Sequence, residues 1–167
     1  MCHMPNASPA PIEPLGREAF LTIIEEHSNF WDDDLTYQLH HPMFIEEFGD
    51  TAFAIRDGDE IVAYLLGFYS QTSPTAYIHM VAVRKGHRGM GHARRLYEHF
   101  IDAARKKACS ILKATASPFN EKSIRFHQAL GMTMRGEDFS EGVPGVKVVK
   151  DYLRRGSHRV VFELEIT

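Results

Sequence analysis

Tyr77–Leu96, YIHMVAVRKGHRGMGHARRL, decides the fold. Its first part alternates, with Tyr77, His79, Val81 and Val83 on one face and Ile78, Met80 and Ala82 on the other, which is the period of a strand. Gly86, Gly89 and Gly91 then fall within six residues, where no regular element runs cheaply. Beyond them Ala93, Leu96, Tyr97, Phe100, Ile101 and Ala104 recur at i, i+3, i+4, i+7, i+8 and i+11, one stripe of an amphipathic helix. A strand therefore feeds a glycine-rich loop, and the loop feeds a helix N-terminus.

The charges give that loop a task. Arg84, Lys85, Arg88, Arg94 and Arg95 lie between residues 84 and 95 with two histidines and no carboxylate. The chain totals −3, so subtracting those five cations leaves −8 on the remainder. Cations at a helix N-terminus oppose the macrodipole, which favours anions there by about 0.3–1 kcal/mol each. Such a placement predicts a bound anion of the phosphate type, held by backbone N–H groups and cations together, over a merely solvated basic turn. A Walker loop is excluded because no Gly-Lys pair is present, and a dinucleotide fingerprint fails because Arg94 stands at its third glycine position.

The pattern that fits is [QR]-x-x-G-x-[GA], read as Arg88-Gly89-Met90-Gly91-His92-Ala93 directly after a strand ending V-A-V. It closely resembles the acetyl-CoA loop of the GNAT superfamily of N-acetyltransferases. A second stretch, Asn120–Met132 (NEKSIRFHQALGM), looks like that superfamily's N-x-x-[AS]-x-x-[LF]-Y-x-x-L-G-F signature. It departs from the signature at His127, where Tyr is usual, and at Met132, where Phe is usual. The resemblance covers roughly residues 52–162.

Outward from the loop, Ile12–Pro14 reads as a short first strand, and Gly16–His27 as a first helix with Ala19, Phe20, Ile23 and Ile24 inward. Asp34 is placed to cap a helix over Leu35–Leu39, and Met43–Phe48 forms a further helix or turn. Thr51–Ile55 and Ile61–Phe68 flank Asp57-Gly58 as a hairpin, and the central strand follows after a polar turn, antiparallel to its neighbour. The helix over about His92–Lys107 leads to a strand at Ser110–Thr115, a βαβ unit, so that strand should run parallel to the central one. A helix from Asn120 or Glu121 carries Ile124, Phe126 or His127, and Leu130 inward and stops at Gly131. Met132–Arg135 is a short strand, 136–156 is irregular, and Arg159–Ile166 closes the sheet. The expected class is α/β: a mixed, largely antiparallel sheet of six to seven strands flanked by helices around a central acetyl-CoA-binding βαβ unit. A single domain is expected over residues 12–167, after a flexible tail at 1–11 whose three prolines do not suit a signal peptide.

The resemblance implies direct acetyl transfer from acetyl-CoA, as co-substrate, to an amine of a small molecule or peptide. It assigns the main chain of Val81 and Val83 to the pantetheine amides and residues 88–93 (Arg88, Gly89, Met90, Gly91, His92, Ala93) to the pyrophosphate. Asn120 and Phe126 belong to the cofactor arm, with a plain helix cap as the competing reading of Asn120. Arylalkylamine acetyltransferases carry histidines where Tyr77 and His79 stand, while many other members carry a glutamate at the Tyr77 position. His79 is thus the expected general base, with an ordinary pKa near 6.5. Tyr77 and His127 remain for proton transfer, His127 as thiolate partner or as a residue that only packs. Trp31, His40 and His41 are placed at the acceptor pocket by analogy, against a plain reading as packing residues. The alternative to an enzyme is an acyl-CoA-binding sensor or interaction module on the same fold.

Composition narrows the rest. No run of 18 apolar residues exists, so no membrane partner is expected. Two cysteines, Cys2 and Cys109, make neither a disulfide framework nor a metal set, and adjacent His40-His41 diverge too far to chelate, so no metal and a cytoplasmic setting are expected. The acidic remainder and the lack of an aromatic platform in the loop argue against nucleic acid. A homodimer is the assembly common among look-alikes.

Overall fold

A computed structural model describes residues 9–167; Cys2 and the rest of the tail up to residue 8 lie outside the described residues. Packing divides the chain into two compact units. One is made of residues up to Leu65 with Val81–Leu96, the other of Leu66–Met80 with Tyr97–Thr167.

The first unit starts with β1 (Ile12–Pro14), paired antiparallel to β2 (Ala52–Asp57) with Ile12 opposite Ile55. Between them lie α1 (Arg17–Glu25), which buries Ala19, Phe20 and Ile23, a 3-10 turn at Thr36–Leu39 and the short α2 (Met43–Glu46). The acid that caps the 3-10 turn is Asp33 rather than Asp34, accepting the Thr36 N–H at 2.9 Å. Gly58, at φ 59, turns β2 into β3 (Glu60–Tyr69), the left-handed conformation that made Asp57-Gly58 legible as a hairpin. The order in this unit is β1-β2-β3-β4, with β4 (Thr75–Val83) contributing its last three residues. Ala52–Ile55 and Ile61–Leu65 are buried on both faces, so their apolar runs are continuous rather than alternating. After a 3-10 turn at Lys85–His87 the chain enters α3 (His92–Lys106).

In the second unit β4 pairs parallel with β5 (Ile111–Ala116), from Thr75 opposite Ile111 to Ile78 opposite Ala114. This is the βαβ crossover that the strand-loop-helix-strand pattern predicts. β5 pairs antiparallel with β9 (Ser157–Glu165), and β8 (Lys147–Arg154) continues the sheet beyond β9. Two two-residue strands, β6 (Thr133–Met134) and β7 (Glu137–Asp138), pair with β9 and β8. Tyr97, Phe100 and Ala104 of α3 are buried, and Phe100 reaches Gly67 so closely that a Cβ there would lie 2.9 Å from its ring and 2.8 Å from the Tyr77 carbonyl oxygen. α4 (Glu121–Ala129) buries Ile124 and His127.

The class is α/β with a mixed, largely antiparallel sheet. Nine strands among the described residues replace the six to seven expected, the two unforeseen ones being the two-residue β7 and the longer β8. The larger correction is β8, a strand of eight residues inside the segment 136–156 expected to be irregular. Only Val148 on it is buried; its other positions are largely exposed, so no apolar alternation marks it.

Candidate active site

The glycine-rich loop lies in the first unit. Gly89 and Gly91 adopt φ 80 and φ 82, and a Cβ built on either would meet nothing within 4 Å. The glycines are therefore required by backbone conformation, and the space before them is open. At the start of α3 the Arg95 N–H donates to the Gly91 oxygen at 3.1 Å. Met90 between the glycines is 63% exposed. These features fit a pyrophosphate approached by bare backbone.

The five cations do not all serve that purpose. Arg84 is buried: it donates to the Ile61 carbonyl at 2.8 Å, pairs with Glu26, lies 3.4 Å from Glu60 and stacks its guanidinium 4.8 Å from the Phe30 ring centre. Lys85 pairs with Asp32 at 2.7 Å. Arg84 and Lys85 are thus neutralised in place, a correction to the reading of the whole basic run as an anion site. Arg88 donates to the Phe30 carbonyl at 2.7 Å and to the Val83 carbonyl at 3.3 Å, and Arg95 donates to the Ala10 carbonyl. Carbonyls do not cancel charge, so Arg88 and Arg95 keep theirs beside the loop. The Arg95 bond also ties residue 10, which the sequence places in a flexible tail, to the start of α3. His92 has its pKa lowered, by burial first and then by Arg95 and His87, so it adds no steady positive charge there.

In the second unit the parallel register of β4 with β5 ends at Ile78–Ala114, although β4 runs on to Val83 and β5 to Ala116. His79, half-buried, is the first β4 residue beyond the last pair. Tyr77 stacks on Phe68 at 5.1 Å between ring centres. Burial pushes the Tyr77 pKa up and the Thr115 hydrogen bond partly offsets it, so the phenol keeps its proton at neutral pH.

His127 is 4% exposed and stacks on Phe162 at 4.4 Å. Its Nδ1 lies 2.7 Å from the Ser123 carbonyl, which can only accept, so Nδ1 carries the proton and Nε2 accepts from the Tyr97 hydroxyl at 2.8 Å. Burial lowers its pKa, more than the Ser123 contact raises it. Of the two roles left open by the sequence, these contacts are those of the packing one. Phe126 packs edge-on to Tyr97 at 5.2 Å. Asn120 caps α4, its Oδ1 accepting the Ser123 N–H at 3.1 Å.

The residues placed by analogy at the acceptor pocket lie in the first unit. There Trp31 donates to the Tyr64 hydroxyl at 2.8 Å, and that hydroxyl donates to His40 Nε2 at 2.7 Å while His40 Nδ1–H holds the Thr36 carbonyl at 2.9 Å. Trp31 and His40 thus belong to a satisfied buried network, the packing alternative; His41 is exposed, its Nδ1 accepting the Met43 N–H. Sequence reasoning missed Thr115, whose hydroxyl works against the burial-driven rise of the Tyr77 pKa.

A family model described as Acetyltransferase (GNAT) family matches residues 18–132. The chain belongs to this family. Among curated relatives, the L-2,4-diaminobutyric acid acetyltransferase of Marinococcus halophilus is 26% identical over 68% of this chain and 70% of its own length. The enzyme of the same name from Shouchella clausii is 30% identical over 48% of this chain, a match that spans about half of that relative, 46% of its length. Among solved structures, a Salmonella typhimurium protein crystallised with its cofactor acetyl-CoA shares the fold at a TM-score of 0.65 and 19% identity, over 96% of this chain and 95% of that one. The matched residues include the strand, glycine loop and helix start of Tyr77–Leu96 and all of α4.

Proposed function

We propose that this protein is an acetyl-CoA-dependent N-acetyltransferase that acetylates the amine of a small molecule. The observation that carries the reading is the end of the β4–β5 ladder at Ile78–Ala114, followed along the same strand by the positive-φ glycine loop. The relatives' acceptor, a small diamino acid, supports a small-molecule amine over a peptide. Acetyl-CoA, when bound, supplies an acyl group already activated as a thioester. The main chain of Val81 and Val83 holds its amides; the backbone of Gly89, Met90, Gly91, His92 and Ala93, with the charge of Arg88, holds its phosphates. Asn120 and Phe126 flank the arm. His79 removes the proton from the acceptor ammonium, since only the free amine has a lone pair to attack with. Tyr77, kept protonated by burial, returns a proton to the departing sulfur, a task for which neutral His127 has no proton on Nε2. The reading includes a cytoplasmic setting, a homodimer, and no nucleic-acid, membrane or metal partner. No described helix is long and apolar enough to cross a membrane.

The test is acetyl-CoA turnover with a panel of small amines, 2,4-diaminobutyrate among them, followed by free thiol release. Turnover with at least one amine and none with peptides is expected. Tight acetyl-CoA binding without turnover on any amine would assign the chain to the acyl-CoA sensors instead.

A further inference from the structure

Beside the glycine loop lies a cavity of about 390 Å³, within the range of small-molecule sites. The loop itself lines it, through the Met90 side chain and through His92 at the start of α3. Ala10 and Pro11 form a second wall. That wall is pinned: Ala10 sits between two prolines, which favour an extended backbone, and its carbonyl accepts from Arg95 on the first turn of α3. The β2–β3 turn at Asp57-Gly58, with Arg56 before it and His87, completes the lining.

The charges of this lining select an uncharged group over a phosphate. Arg56 is already spent, donating to Glu13 at 2.6 Å and to the Asp59 carbonyl at 3.1 Å. Burial first, then Arg95 and His87, lower the His92 pKa, so its ring stays neutral. The open charge on the lining is negative: the Asp57 side chain is 76% exposed, with His87 Nε2 4.0 Å from its carboxylate. A carboxylate accepts hydrogen bonds, cannot donate them and repels a phosphate. The exposed Met90 thioether offers a polarizable surface of the kind that packs against aromatic rings. The cavity is therefore matched to a flat ring that carries an amino group, next to backbone suited to phosphates.

Resting on the acetyl-transfer reading above, we propose that this cavity seats the adenine base of acetyl-CoA, the Asp57 carboxylate accepting from its exocyclic amine and Met90 packing on its ring. Adenine is the flat, uncharged, amino-bearing end of that molecule, and one ribose joins it to the phosphates assigned to the loop backbone. The pinned Ala10–Pro11 wall is in place before the base arrives, which lowers the ordering cost of binding.

The experiment is calorimetric titration with CoA and with its ethenoadenine analogue, whose exocyclic nitrogen is closed into a ring and cannot donate. Asp57→Ala should weaken CoA binding by about fivefold to thirtyfold. Charge alone predicts the opposite sign, because the variant removes a negative charge near bound phosphates. The wild-type protein should bind the ethenoadenine analogue less tightly than CoA by a similar factor, and Asp57→Ala should then cost nothing further. Met90→Ala, at an exposed position, should weaken both ligands by about twofold to tenfold. Asp34→Ala, which removes an exposed carboxylate outside the lining, serves as control with unchanged affinities. CoA binding by Asp57→Ala that equals or exceeds wild type overturns the adenine seat alone, as does equal wild-type affinity for CoA and the analogue. A wild-type protein that binds neither CoA nor acetyl-CoA overturns the acetyl-transfer reading and the seat with it.

Discussion

Arg84→Met separates a structural cation from an anion ligand in the basic run. Arg84 is 8% exposed, and its guanidinium donates to the Ile61 carbonyl at 2.8 Å, pairs with Glu26 and lies over Phe30 at 4.8 Å. Methionine fills much of the stem's volume but satisfies none of these groups. The Ile61 carbonyl then loses a charged donor, worth about 1.5–3 kcal/mol. The cation–π contact adds about 0.5–1 kcal/mol. Glu26 is 41% exposed in its side chain and regains water, so its ion pair contributes little to the total. The sum is about 2–4 kcal/mol, which at this chain length lowers Tm by roughly 4–16 °C. Urea unfolding and calorimetric titration with acetyl-CoA, run on the same preparation, check it. Stability should fall while acetyl-CoA affinity of the folded protein stays within about threefold of wild type. A variant of wild-type stability that has lost acetyl-CoA affinity would refute the reasoning, because Arg84 would then be a phosphate ligand.

Gly91→Glu places a side chain and a negative charge at φ 82 in the loop, so calorimetric affinity for acetyl-CoA should drop by about 100-fold or more; unchanged affinity in a folded variant would remove the loop from the cofactor site. His79→Ala should lower turnover by about 10²–10⁴ with acetyl-CoA affinity nearly intact, and a variant that keeps wild-type turnover and pH profile would pass the base to another group or to water. His127→Phe leaves the Tyr97 hydroxyl and Ser123 carbonyl without their partner and should cost about 1–3 kcal/mol in urea, with turnover per folded molecule unchanged; a large fall in turnover at equal folding would restore the thiolate-partner role. Because the folded pKa of His127 is lowered below its ordinary 6.5, the unfolded chain binds the extra proton first. Its contribution is therefore complete above pH 6.5 and declines as pH falls below that value, and His127→Phe should flatten this part of the stability profile.

What the sequence determined by itself is local. Alternation in Tyr77–Val83, the conformations demanded of Gly58, Gly89 and Gly91, and the helical stripe from Ala93 to Ala104 each follow from contacts within a few residues. Their order implied the βαβ unit, because a strand-helix-strand crossover has few ways to close. Tertiary structure decided which polar groups are spent on the fold. Arg84, Lys85, Trp31 and His40 look as available for ligands as Arg88 or His79, and only the placement of Glu26, Asp32 and Tyr64 shows that they are engaged. His127 keeps the signature's spacing, but burial against Phe162 and the carbonyl of Ser123 set its proton on the wrong nitrogen for an acid. β8 was illegible because an exposed edge strand needs no apolar period; its pairing energy lies in the backbone, which every sequence shares.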